Sequence, residues 1–122
     1  MFQTLLKEVV DSVDGGLATL VMDFEGITVD SYSRPPSGGA EFDINTVGAE
    51  FSVVIKSIQR AAEMLEAGET SEVTIHAGKV VTLIRVVSDQ YFVAFTMRPD
   101  SNLGKARYVL RTRTPAIAKE LA

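Results

Sequence analysis

The sequence predicts an α+β fold in which a five-stranded, mostly antiparallel sheet carries helices on both faces. Apolar residues recur at helical spacing in three segments, and short apolar runs bounded by turn residues occur in five others. Along the chain these elements follow the order α-β-β-α-β-β-β-α, which accounts for every apolar stripe if the strands form one sheet. A length of 122 residues is typical of one domain, so we expect residues 1–122 to form a single unit.

The first helix is predicted over residues 1–13, where apolar residues follow at intervals of three and four until a Gly-Gly pair ends the pattern. The apolar run at residues 17–22 is too short for a helix and predicts a strand buried on both faces. An Asp-Phe-Glu-Gly turn follows at residues 23–26. Side chains of residues 27–33 alternate between two faces of the predicted strand, one of them exposed to solvent, which is typical of an edge strand.

An irregular connection at residues 33–43, rich in Pro and Gly, leads into the second helix. From Ile44 onward, apolar residues alternate strictly at spacings of three and four for about six turns, and Gly68 is expected to end the helix. This first apolar set comprises Ile44, Val47, Phe51, Val54, Ile58, Ala61 and Leu65. A second set lies beside it and makes the apolar face wider than one sheet contact needs. The second set comprises Gly48, Ile55 and Ala62.

Three short strands are predicted next, at residues 72–77, 80–87 and 91–97, with connections short enough for antiparallel hairpins. The last two are the most apolar and are expected to be central in the sheet. The first carries polar residues on one face and is expected to be an edge strand. These polar residues are Glu72, Thr74 and His76.

The last helix is predicted to open at residues 99–101 and to turn one apolar side inward. The inward residues are Leu103, Ala106, Leu110, Ile117 and Leu121. Pro115 lies within this segment, where it is expected to break or kink the helix because proline cannot donate a backbone hydrogen bond.

The residue types needed for catalysis are scarce. The chain has no cysteine and a single histidine, His76. The absence of cysteine removes disulfides, thiolate nucleophiles and sulfur ligands for metals, and it suits the reducing cytoplasm. No nucleophile elbow, phosphate-binding loop, dinucleotide fingerprint or calcium loop appears. We therefore expect no enzyme activity, no cofactor and no metal site.

The formal net charge of -4 hides a locally basic segment, since residues 98–122 contain six of the twelve Lys and Arg residues. Such a patch can meet nucleic acid or acidic lipid, but those partners usually accompany an overall basic balance. A solvated helix face that carries Arg107, Arg111 and Arg113 explains the bias without a partner. No stretch approaches the ~20 apolar residues of a membrane-spanning helix, and the first residues do not resemble a secretion leader. We expect neither nucleic-acid binding nor membrane insertion.

Four segments together resemble the Roadblock superfamily of dynein light chains and bacterial small-GTPase regulators. They are the N-terminal helix and the segments GGLATLVMDFEGITVDSY, TVGAEFSVVIKSIQRAAEML and NLGKARYVLR. The resemblance covers nearly the whole chain and implies a Roadblock/profilin-like sandwich.

The resemblance also implies a homodimer. In the family, the strand after the long helix pairs with its twin across a two-fold axis, and the two long helices lie side by side. The predicted edge strand and the surplus apolar helix surface agree with this, because an unpaired edge favours strand addition. The residues expected in the dimer interface are Gly48, Ile55, Ala62, Glu72, Val73, Thr74, Ile75 and His76.

A Ras-like small GTPase that rests on the paired long helices is the partner that the resemblance implies. The residues expected to face it are Val53, Lys56, Ser57, Arg60 and Met64. These residues fit a simply solvated helix face equally well. Arg34 or Arg60 could also act as an arginine finger in trans. Two different functions stay open beside GTPase regulation. One is an adaptor that bridges motility, polarity, signalling or cytoskeletal proteins without nucleotide-state preference, and the second is a small-molecule sensor.

Overall fold

The computed structural model describes residues 2–35 and 43–122, and the helices and strands within them follow the predicted order. The predicted irregular connection at residues 33–43 lies largely outside the described residues. The elements are α1 (Phe2–Asp11), β1 (Gly16–Asp23), β2 (Thr28–Ser33), α2 (Ile44–Met64), β3 (Glu72–His76), β4 (Val81–Val86), β5 (Tyr91–Met97) and α3 (Leu103–Leu121).

The five strands form one sheet in the order β2-β1-β5-β4-β3, and every neighbouring pair is antiparallel. The register places Leu20 of β1 and Ile84 of β4 on either side of Ala94 in β5. β1, β5 and β4 are the inner strands, and β2 and β3 are the two edges. This confirms the predicted sheet, its central strands and its edge strands.

Two core clusters lie on opposite faces of the sheet. Side chains alternate along a strand, so neighbouring residues of β1 serve different clusters. Val21 packs in the cluster beneath α1 and α3, with Leu83 and Phe95. Leu20 packs in the cluster beneath α2, with Phe92. The prediction that residues 17–22 form a strand buried on both faces is therefore confirmed.

α3 begins at Leu103, later than predicted, because Asn102 caps it. The Asn102 Oδ1 accepts a hydrogen bond from the Lys105 backbone N–H at 3.0 Å. The helix continues through Pro115, so the expectation that this proline breaks it is wrong. Pro115 and Arg111, whose carbonyl the missing N–H would have bonded, are both exposed, so this part of the helix faces solvent.

α2 ends at Met64, about one turn before Gly68. The Glu66 and Ala67 backbone N–H groups bond back to Glu63 O at 3.0 Å and Ala62 O at 2.9 Å. These two bonds form the Schellman arrangement that closes many helices. Glu66 has a φ of 54°, in the left-handed region that usually takes glycine.

Candidate protein interaction surface

Among the described residues, β3 is hydrogen-bonded only to β4, so within this part of the chain its other side is a free edge of the sheet. The Ala77 N–H donates to Val80 O at 3.0 Å, which fixes the alternation of bonds along the pair. Every second residue before Ala77 bonds to β4, and the residues between them direct their backbone groups outward. The outward residues are Glu72, Thr74 and His76. Within residues 2–35 and 43–122, no hydrogen bond uses these backbone groups, so the edge can pair with another strand.

Arg107 of α3 holds this edge strand in place. Its Nε donates to Glu72 Oε1 at 2.8 Å and its Nη2 donates to Thr74 Oγ1 at 3.0 Å. Arg85 of β4 lies on the other carboxylate oxygen, with Nη1 3.4 Å from Glu72 Oε2. Only side chains take part in these contacts. They order the strand and leave its outward backbone groups available to pair with another strand. Such pre-ordering lowers the entropy that pairing would otherwise lose.

The N-terminus of α2 is capped by Asp43. Its Oδ1 accepts from the Asn45 N–H at 2.9 Å, and its Oδ2 accepts from Thr46 Oγ1 at 3.1 Å. These donors, the Asn45 backbone N–H first among them, hold the pKa of Asp43 below its ordinary value of 3.8. The carboxylate thereby satisfies one of the backbone donors that a helix start leaves without an intrahelical partner.

A line of small and apolar residues on α2 faces the sheet. The buried members are Ile44, Gly48, Ser52 and Ile55. Gly48 approaches β1 most closely, because a Cβ at this position would overlap Leu20 Cδ2 and lie 2.9 Å from Met22 Cε. A larger residue here would displace the ends of the Leu20 and Met22 side chains, so glycine lets α2 approach the sheet closely at this position.

The burial of Gly48 and Ile55 argues against their predicted place in a dimer interface. Both are buried against the sheet of their own chain, where a second subunit cannot reach them. Hydrophobic spacing showed two neighbouring apolar sets but not which of them packs on the sheet. Ala62 is half-buried, and its place in an interface stays a prediction, as it does for the β3 residues.

Most of the first apolar set lies on one side of α2, which we call the α2 flank. The α2 flank consists of Val47, Phe51, Val54, Ile58, Ala61 and Leu65. Phe51 packs against the core beneath α2, but Val54 is 42% exposed and Leu65 is 78% exposed. A spacing of strictly three and four is the signature of helices that pack on helices. That spacing is present in the sequence, and it favours a contact between the flank and another helix.

The α2 flank lies on the side of the helix that faces β4 and β3. Gly26, in the turn between β1 and β2, faces Ala49 and Ser52 on the opposite side of α2. Half-buried Val73 and Ile75 of β3 pack against the same core cluster as Phe51. The α2 flank is therefore turned toward the β3 end of the sheet.

The predicted partner residues lie on the side of α2 that points away from the sheet, which we call the outer face. The outer face consists of Val53, Lys56, Ser57, Arg60 and Met64. Val53 is 58% exposed and Met64 is 81% exposed, so two apolar side chains lie in water. Lys56 and Arg60 make no ion pair with any residue in the described part of the chain. The face thus offers apolar area beside two cations.

Arg34, one of the two candidate arginine fingers, is engaged within the chain. Its Nη2 donates to Val10 O at 3.2 Å and lies 3.6 Å from Asp11 Oδ1. Arg60 is exposed in the middle of α2. Arg34 would have to leave two partners before it reached another protein, which disfavours its use as a finger.

An open cavity of about 740 Å³ lies between the end of α2 and the turn that joins β4 to β5. Its lining includes four carboxylates, from Glu63, Glu66, Glu69 and Asp89. Its lining has only two apolar side chains, those of Val86 and Val87, whereas ligand pockets are lined predominantly by hydrophobic and aromatic side chains. This cavity therefore gives no support to a small-molecule sensor. The described residues hold no group of three or more His, Cys, Asp or Glu side chains placed to bind a metal.

None of the helices among residues 2–35 and 43–122 is both long enough and apolar enough to cross a membrane.

Neither a protein-family model nor a curated protein matches the sequence, but solved structures match it. MglC from Myxococcus xanthus is 41% identical, with 98% of this chain and 98% of that chain covered and a TM-score of 0.70. The Roadblock/LC7 domain from Streptomyces avermitilis is 11% identical, covering 98% of this chain and 96% of that one, with a TM-score of 0.85. The gliding protein MglB from Thermus thermophilus is 14% identical, covering 98% and 88%, with a TM-score of 0.85.

These structural similarities support different conclusions because their sequence identities differ. The MglB and Roadblock/LC7 structures share the fold at low identity. The identity with MglC extends over almost all of both chains and shows common descent. Together with the sheet order and the placement of the three described helices, it shows that this chain belongs to the Roadblock superfamily.

Proposed function

We propose that this chain is a single-domain, homodimeric regulatory module without catalytic residues, which binds a Ras-like small GTPase in the cytoplasm. In this role it modulates the nucleotide cycle or the location of the GTPase. The observation that carries the proposal is the β3 edge, whose outward backbone groups lack partners among the described residues, beside an exposed apolar α2 flank. A monomer would expose both the free β3 edge and the apolar α2 flank to water, which lowers solubility.

Strand addition at β3 suits a two-fold contact between identical chains. An antiparallel β3 pair centred on Thr74 would place the outward N–H of each Thr74 opposite the C=O of its twin. The same register sets Glu72 opposite His76 of the twin, so an acidic residue meets the only histidine in the sequence. The sheet would then run without a break through both subunits, and neither β3 would remain an edge.

The α2 flanks would approach each other across the same axis. Each full burial of an apolar side chain of this size contributes about 1.5–3 kcal/mol, in proportion to the area removed from water. Val54 and Leu65 have 42% and 78% of their surface left to bury. Helix packing on helix is also the contact that the three-four spacing of the flank favours.

Pairing of the flanks would bring the two outer faces into one larger surface. Met64 and Arg60 are of the residue types that are enriched in the cores of protein interfaces, and Val53 adds apolar area. Membership of the Roadblock superfamily supports a GTPase as the partner, since bacterial members of this family regulate small GTPases. No side chain of this surface needs to enter the chemistry of GTP hydrolysis, because the GTPase carries its own catalytic loops.

Two measurements test this function. Size-exclusion chromatography with light scattering should report twice the mass of one chain at micromolar concentration. The dimer is then titrated with Ras-like GTPases from the same cell, each loaded with GDP or with a non-hydrolysable GTP analogue. We expect binding that differs at least about tenfold between the two states. A protein that is monomeric throughout contradicts the dimer, and equal affinity for both states contradicts the regulatory role.

An adaptor function is favoured by a second exposed surface on the opposite side of the sheet. Tyr108 of α3 is 59% exposed, and the Arg111 guanidinium lies 5.8 Å from the centre of its ring. A module with separate surfaces on two faces can bridge motility, signalling or cytoskeletal proteins. In the titration above, an adaptor would bind both nucleotide states equally.

A further inference from the structure

The other edge of the sheet, β2, differs from β3 in its hydrogen bonding. The Arg34 N–H donates to Leu17 O at 2.7 Å, which continues the β1–β2 ladder and fixes its alternation. Residues that bond to β1 alternate along β2 with residues that point outward. Tyr32 therefore bonds to Thr19 of β1, and Ser31 directs its N–H and C=O away from the sheet. Ser31 thus occupies on β2 the position that Thr74 occupies on β3.

The outward backbone groups of Ser31 are both bonded to side chains. The Ser31 N–H donates to Asp30 Oδ1 at 2.8 Å, and Ser31 O accepts from Gln3 Nε2 at 2.6 Å. Gln3 Nε2 also lies 2.7 Å from Asp30 Oδ1, which joins the two side chains. We call these three bonds the Gln3–Asp30 clasp. It occupies both groups that a further strand would need at this position.

α1 positions Gln3 at this edge. The helix packs on β1 and β2, with the Lys7 Nζ 6.0 Å from the centre of the Tyr32 ring. At the other end of the helix, Val10 O accepts from Arg34 Nη2 at 3.2 Å. The clasp is therefore built by docking of a separate element and not by the strand alone.

The two edges also differ in regularity. The β1–β2 register shifts between Val21 and Met22, so that β2 contains a bulge. The β3–β4 register runs without a shift from Glu72 to His76. Bulges and bonded edge groups are two of the ways in which proteins prevent unwanted strand pairing.

We propose that the Gln3–Asp30 clasp closes the β2 edge to a second copy of this chain, so that the sheet extends only at β3 and assembly stops. The part concerning β3 rests on the proposed function. The molecule that would otherwise pair with the β2 edge is a second copy of this chain, because an antiparallel β2 pair centred on Ser31 is self-complementary. In that pair each Ser31 N–H would meet the C=O of its twin. A chain with two open edges would join others in an unclosed series and not in a closed pair.

The test compares variants in which the β3 edge is already blocked. Thr74→Pro removes an outward N–H and no bond to β4, so it serves as the common background. The double substitution Gln3→Ala and Asp30→Ala removes all three hydrogen bonds of the clasp, and we call it the clasp-open variant. Lys7→Ala is the matched control, since it lies on the same helix and contacts Tyr32 but no outward backbone group of β2.

Light scattering across a concentration series should give the mass of one chain for the Lys7→Ala control. The clasp-open variant should show a rise of about two-fold in mass with concentration, as expected for one new two-fold contact. Amide hydrogen exchange at low concentration should show faster exchange of the Ser31 N–H than in the control, because its acceptor is gone.

A clasp-open variant that keeps the mass of its control at every concentration overturns the proposal. So does a Ser31 N–H that exchanges as slowly as in the control. Gln3→Glu in the same background gives a second variant if the double substitution fails to fold, since a carboxylate cannot donate to Ser31 O. This variant is judged by its mass alone, because the Ser31 N–H keeps its Asp30 acceptor. A monomeric wild-type protein would contradict the proposed dimer but not the clasp, because the clasp comparison does not use the β3 contact.

Discussion

Gly48 of α2 lies directly over Leu20 of β1, so close that a Cβ on the glycine would overlap the Leu20 Cδ2. The contact lies on the side of the long helix that packs on the sheet. Gly48 and Ile55 are buried there, whereas Val54 and Leu65 are exposed to water. The flank on which the proposed dimer depends is thus the side of α2 that this packing leaves exposed.

Replacing Gly48 with alanine should destabilise the protein. Overpacking of a filled core costs about 1–3 kcal/mol, and alanine recovers at most ~1 kcal/mol through its higher helix propensity. Urea unfolding measures the difference. Gly104→Ala is the control, since a Cβ there meets only Asn102 Oδ1 at 3.5 Å. If Gly48→Ala proved as stable as Gly104→Ala, the close approach of α2 to β1 would be disproved.

Two neighbouring valines should separate dimer formation from partner binding. Val54→Glu places a charge on the α2 flank and should weaken dimerisation at least about tenfold, because the apolar contact would have to bury it. Val53→Glu places the same charge on the outer face, so it should leave the dimer intact and weaken GTPase binding. Analytical ultracentrifugation and GTPase titration measure the two effects. Equal loss of dimer in both variants would contradict the assignment of the two faces.

Thr74→Pro should weaken the dimer, because it removes the central outward donor of the β3 edge. Thr74→Ala keeps that N–H and loses only the hydroxyl that accepts from Arg107 Nη2, so it should dimerise like the wild type. Light scattering distinguishes them. An unchanged dimer in the proline variant would show that the contact between subunits lies on another strand.

The Asp43 cap should make the start of α2 sensitive to acid. Its pKa is lowered in the folded protein by the Asn45 N–H first and by Thr46. The stabilisation is therefore fully present above its ordinary value of 3.8 and is lost as the pH falls through the lower folded value. Thermal unfolding between pH 7 and pH 3 measures this. Asp43→Asn should cap as well at neutral pH but lose less stability on acidification, and an identical pH profile in both proteins would exclude the effect.

Glu66→Gly should stabilise the protein by up to about 1 kcal/mol, because glycine adopts the left-handed conformation of the α2 end without strain. Ala67→Gly is the control: Ala67 is not among the described residues with a positive φ, so glycine there should stabilise nothing. Chemical denaturation of the two variants provides the comparison. A loss of stability in Glu66→Gly would show that the side chain matters more than the backbone strain.

Most of the fold could be predicted because each element had a local cause in the sequence. The apolar run at residues 17–22 specified a strand with two buried faces, and the weaker alternation of β2 and β3 specified edges. The expected break at Pro115 was wrong, because the effect of a proline depends on the surroundings of its helix, here an exposed face, and not on residue type alone. The end of α2 was misplaced because Glu66 adopts a conformation that residue type alone would assign to glycine.

The candidate site divides in the same way. The sequence by itself determined that α2 has more apolar surface than one sheet can cover, since periodicity depends only on residue spacing. It also determined that β3 is an edge, because polar residues alternate along it. Only the tertiary structure decided which apolar set is buried, which backbone groups point outward, and that Gln3 closes one edge while Arg107 orders the other. These depend on how closely separate elements approach and in which register they pair, and such distances are set by packing between residues far apart in the chain.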